Sequence, residues 1–110
     1  MEGNLIKAIT PEGLQAALKG EKPVLVCFLS EWSAPCRQLW PQLEILADRE
    51  YSRLQVVSMD PDGAPLDALR WDVNSIPTVL LFRGGALLDR QVGLRTAEEL
   101  AAILDKKLMD

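Results

Sequence analysis

The chain has 110 residues, 48% of them hydrophobic and 25% charged, with 12 basic against 16 acidic side chains for a net charge of −4. That length suits one domain over residues 1–110, large enough to bury a core of its own and too short for two. The absence of histidine excludes Ser-His and Cys-His nucleophile pairs and any His-containing metal site, so no metal or other cofactor is expected. Without a basic run to track phosphates, nucleic acid is not an expected partner.

No apolar run approaches the ~20 residues of a membrane helix, and Met1-Glu2-Gly3-Asn4 lacks the basic-then-apolar order of a signal peptide. The chain therefore reads as a cytoplasmic monomer that does not engage a membrane. Leu5 to Ile9 can form a first edge strand. Thr10-Pro11-Glu12 then supplies an N-cap and a proline at the first helical position; Leu14, Ala17 and Leu18 share one face of the helix, which Gly20 stops. Val24 to Leu29 is an apolar run of the kind found in a strand buried on both faces.

Ser30-Glu31-Trp32 leads from that strand into a helix over about Ala34 to Arg49, with Leu39, Leu43, Leu46 and Ala47 at helical spacing. Pro41 in its interior removes one hydrogen bond and is expected to kink it. Leu54 to Met59 reads as a second buried strand, ended by Asp60-Pro61-Asp62-Gly63. A short helix is expected at Leu66 to Trp71, a strand at Thr78 to Phe82, a turn at Gly84-Gly85 and a last strand through about Val92. Thr96 and Glu99 form a capping box ahead of a helix whose Leu100, Ile103, Leu104 and Leu108 make one apolar stripe. Helices between the early strands and a hairpin late in the chain predict an α/β fold, a central mixed sheet of four to five strands with helices on both faces.

Trp32-Ser33-Ala34-Pro35-Cys36 has the frame of a dithiol redox motif, with serine where the attacking cysteine would stand. A thiolate is the nucleophile of thiol-disulfide exchange, and a serine hydroxyl is neither acidic nor soft enough to replace it. Together with Ile76-Pro77-Thr78, the downstream Phe82 to Gly85, and Val92-Gly93, in one collinear order over almost the whole chain, this motif resembles the thioredoxin family. The resemblance implies a thioredoxin fold and a cis peptide at Ile76-Pro77. It also implies an apolar groove, formed by Trp32, Ala34, Pro35, Ser75, Ile76, Pro77, Val92 and Gly93 and widened by Leu94, whose backbone pairs with an extended polypeptide.

Three further positions depart from the family's pattern. Cys27 stands where the family usually carries a buried aspartate, Ser58 where it often carries the associated lysine, and Leu29 where many members have tryptophan. A single laboratory exchange of cysteine for serine would have left the first two intact, so their joint change points to a natural lineage that stopped performing dithiol exchange. At Ser33, N-capping of the following helix competes with catalysis, for which the chain offers no histidine base. Cys36, the family's resolving cysteine, is either an inert buried side chain or a thiol open to oxidation, glutathionylation or a partner disulfide. It could also pair with Cys27, although a disulfide needs Cα atoms about 4.4 to 6.8 Å apart.

Two functions of different class follow: a redox-inactive or redox-crippled polypeptide-binding adaptor, or a monothiol or atypical protein-disulfide oxidoreductase using Cys36, alone or with Cys27.

Overall fold

In the computed structural model, which describes Met1 and residues 5–109, the element order is β1 (Ile6–Ala8), α1 (Pro11–Leu18), β2 (Val24–Phe28), α2 (Ala34–Glu50), β3 (Gln55–Met59), α3 (Pro65–Arg70), β4 (Thr78–Arg83), β5 (Ala86–Val92) and α4 (Ala97–Lys107). The strands form one sheet in the order β1-β3-β2-β4-β5. β3 runs parallel to β1 and β2, while β4 runs antiparallel to β2 and β5. The sheet is therefore mixed, with five strands.

Period-two alternation explains how both faces are covered. Leu25, Cys27 and Leu29 join Leu39, Leu43 and Leu46 of α2 and Leu100 and Leu104 of α4 in one core layer. The intervening Val24, Val26 and Phe28 join Leu14 of α1 and Ala68 of α3 in the other. All five residues of β2 are buried, as a strand flanked on two edges and covered on two faces requires.

Local signals fix the helix ends. The Thr10 hydroxyl accepts the Gly13 N–H at 3.0 Å, and Pro11 opens α1. At α4 both halves of the capping box are present: the Thr96 hydroxyl accepts from the Glu99 N–H at 3.1 Å, and the Glu99 carboxylate accepts the Thr96 N–H at 3.0 Å. The β4–β5 hairpin turns on Gly84 and Gly85 at φ of 58° and 80°, and two consecutive positive values are what a two-residue type I′ turn demands.

The differences from the sequence-based boundaries are small and have physical causes. β1 is shorter than Leu5 to Ile9 because its pairing with β3 covers only Ile6, Lys7 and Ala8. α3 begins one residue earlier than expected because Pro65, with its fixed φ, serves as the first helical residue and moves Trp71 to the C-cap. α2 runs unbroken through Pro41 from Ala34 to Glu50, so the lost hydrogen bond does not terminate it.

Leu43 is fully buried at the centre of α2, so Leu43→Ala is expected to destabilise the protein by about 2–5 kcal/mol through lost burial and an unfilled cavity, read from urea unfolding. Glu99 supplies a pH dependence. Its carboxyl is held below the ordinary glutamate range, first by the backbone N–H of Thr96 and then by the Thr96 hydroxyl. A depressed folded-state pKa means that its contribution is present above the unfolded value and lost as pH falls through the folded one. Protection factors in the first turn of α4, measured by hydrogen exchange with the intrinsic pH dependence divided out, should therefore fall on acidification through that window, and Glu99→Gln should remove this dependence.

Candidate functional site

The pairing register brings three distant segments to one end of the sheet. Phe28, the last residue of β2, lies beside Thr78, the first of β4, and Thr78 lies beside Val92, the last of β5. The Trp32 to Cys36 segment, the Ser75 to Pro77 loop and Gly93 all leave the sheet from this row. The Gly93 N–H donates to the Pro77 carbonyl at 2.9 Å, and the Thr78 hydroxyl donates to the Ser75 carbonyl at 2.7 Å. The Ile76-Pro77 peptide is cis. Gly93 has φ +91°, a conformation that L side chains rarely adopt.

The motif is held from within. The Ser33 hydroxyl accepts the Cys36 N–H at 3.3 Å, the geometry of an N-cap, and the Ser33 N–H donates to the Ser30 carbonyl at 3.2 Å. The Arg37 guanidinium donates to the Glu31 carbonyl at 2.8 Å, tying the first turn of α2 to the approach segment. Trp32 stands 71% exposed, and Ala34 and Pro35 are also exposed, whereas Ser33 is buried.

Both cysteines are free thiols and both are fully buried. They lie in the same core layer, between the sheet and α2. Burial pushes the Cys27 thiol well above the ordinary range, so it stays protonated at neutral pH. Ser58 is the parallel neighbour of Cys27 across β2 and β3, so two small uncharged side chains occupy adjacent positions beneath the motif. Among the described residues, no three His, Cys, Asp or Glu side chains are grouped to hold a metal, and no helix is long and apolar enough to cross a membrane.

Of the groove positions, Ser75 and Val92 are exposed, Ile76 and Gly93 are half-buried, and Pro77 is buried as the floor. Leu94 is exposed beside them. Sequence reasoning missed the fastening of the loop that leads into this region: the Arg90 guanidinium of β5 donates to the carbonyls of Trp71 and Asp72. Asp72 has φ +57°, a left-handed conformation that aspartate tolerates better than most side chains. Neither arginine nor aspartate at these positions carries a motif that would have announced the contact.

A sheet of this order, with its helix-opening motif beside a cis-proline loop, defines the thioredoxin-fold class of α/β proteins. The chain belongs to the thioredoxin family, whose profile matches residues 6–106. It is 41% identical over 91 residues to a thioredoxin of Acidithiobacillus ferridurans, covering 83% of this chain and 84% of the relative. It is 35% identical over 96 residues to a thioredoxin of Alicyclobacillus acidocaldarius subsp. acidocaldarius, covering 87% and 91%. With thioredoxin C-2 of Corynebacterium nephridii the identity is 34% over 100 residues, covering 90% and 93%.

Two measurements check the local geometry. Reaction with a thiol reagent should find no accessible cysteine in the native protein and both after unfolding. Ser33→Ala should cost about 1 kcal/mol in chemical denaturation, the typical worth of an N-cap hydroxyl.

Proposed function

We propose that this protein is a redox-crippled member of the thioredoxin family that binds an extended polypeptide in the groove between Trp32 and Pro77. The observation that carries the reading is Ser33. Its side chain is spent on capping α2, and an alcohol at the attacking position forms no mixed disulfide. The helix N-terminus that would stabilise a thiolate there serves a neutral hydroxyl instead.

Burial of Cys36 supports the same conclusion. A thiol shielded from solvent offers no ready attack on a partner disulfide, and burial keeps the Cys27 thiol protonated in the same core layer. What the site retains is recognition. Exposed Trp32, half-buried Ile76 and exposed Val92 and Leu94 offer apolar surface around backbone at Ser75 to Pro77, the combination that binds an extended chain by main-chain pairing and side-chain contact. Action as a cytoplasmic monomer fits two cysteines left as free thiols, since that compartment keeps thiols reduced.

In dithiothreitol-driven insulin reduction the protein should stay at the uncatalysed background. Turnover well above it that is abolished by Cys36→Ala would instead establish a monothiol oxidoreductase. Ser33→Cys should restore measurable activity, because the helix N-terminus and the cis-proline loop are in place to present a thiolate. Adding Cys27→Asp should raise it further, within the roughly 10²- to 10⁴-fold associated with positioned acid-base groups. For binding itself, Cys36→Ala should leave affinity for a captured polypeptide unchanged, while Ile76→Glu should abolish it by placing a charge in the groove.

A further inference from the structure

A second recess adjoins the groove on the other side of Trp32. It is a cavity of about 660 Å³ over the ends of β1, β2 and β3, and Trp32 is part of its wall. Leu29, Trp40, Met59 and Ala64 are almost wholly buried and supply an apolar lining. Ser58, short and half-buried, leaves the space between them unfilled.

The charged side chains in the lining are of one sign, and the only cation there among the described residues is the Met1 ammonium, which is paired with Glu31. Glu31 and Asp60 contribute exposed carboxylates, and no lysine or arginine lines the cavity. Glu31 holds the ammonium of Met1 at 3.0 Å. Asp60 accepts only from the Ser30 hydroxyl at 3.4 Å and the Asp62 N–H at 2.9 Å, and has no cationic partner among the described residues. An occupant complementary to this cavity has an apolar stem and a cationic tip.

We propose that the cavity is a subsite for an arginine side chain of the bound polypeptide, with the stem against Leu29 and the two tryptophans and the guanidinium on Asp60. Arginine fits better than lysine because its planar group stacks on indole faces and offers paired donors to a carboxylate. Its aliphatic stem covers apolar surface while the charge stays at the rim. The inference deepens the polypeptide-binding reading and rests on it: Trp32 is shared by groove and cavity, so a peptide lying in the first can reach the second. The site would then select among extended chains by one basic residue rather than by a thiol.

The test uses the full chain and a probe too small to depend on the groove. N-acetylarginine amide and N-acetylcitrulline amide have the same shape and differ in charge. Their titrations are followed by NMR at the indole N–H groups of Trp32 and Trp40, with thermal melting to verify that each variant is folded. The arginine compound should give saturable shifts at an affinity roughly tenfold or more above citrulline, the scale of a charge-assisted hydrogen bond.

Asp60→Asn keeps the turn's acceptor but removes the charge, and should bring arginine down to the citrulline level. Leu29→Trp should occupy the place of the arginine stem and weaken saturation. Equal response to both compounds, or an arginine preference that survives Asp60→Asn, overturns the proposal. Peptides without basic residues report separately on the groove: if they bind and are lost in Ile76→Glu while N-acetylarginine amide gives no saturable shift, the subsite falls and the groove stands. A saturable, Asp60-dependent arginine response without peptide binding supports the cavity's cation selectivity and overturns the groove reading.

Discussion

Everything at the functional end of this molecule depends on the pairing of Phe28, Thr78 and Val92 in one row across β2, β4 and β5. Backbone hydrogen bonds set that row, and β2 is locked into it from both edges and both faces. Because the motif, the cis-proline loop and Gly93 each begin within a few residues of the row, their mutual placement follows from the sheet. Side-chain chemistry at the motif is therefore separable from its geometry, and the Ser33 hydroxyl is engaged in capping α2.

The electrostatics below the motif are correspondingly quiet. A buried carboxylate would have imposed a desolvation cost that only function or pairing justifies. Cys27 and Ser58 impose none of comparable size, and the core layer containing Cys27, Cys36, Leu39 and Val79 closes as an apolar contact. At these positions the molecule has ordinary packing of small, uncharged side chains.

The element order was legible because the strongest signals were local: the apolar run of β2, the Thr96/Glu99 capping box and the paired glycines of the hairpin. The meeting of the Trp32 to Cys36 segment, the Ser75 to Pro77 loop and Gly93 at one end of the sheet was legible from residues of known type in collinear order. The cavity beside Trp32 was not. Leu29, Trp40, Ser58 and Asp60 lie on four segments and share no spacing, and an unfilled volume depends on how their side chains meet in three dimensions. The Arg90 fastening escaped for a related reason, since its acceptors are main-chain carbonyls and leave no trace in side-chain identity.

That last contact sets an uneven pattern of freedom in the loop before the cis proline. Carbonyl oxygens are offered by every residue, so positions 71 and 72 can change their side chains and still be gripped, provided position 72 accepts the left-handed turn. Position 90 has no such latitude, because only a long, forked donor spans from β5 to two consecutive carbonyls. The loop before Pro77 can thus change its side chains while its anchor stays on a strand outside it, without rebuilding the scaffold.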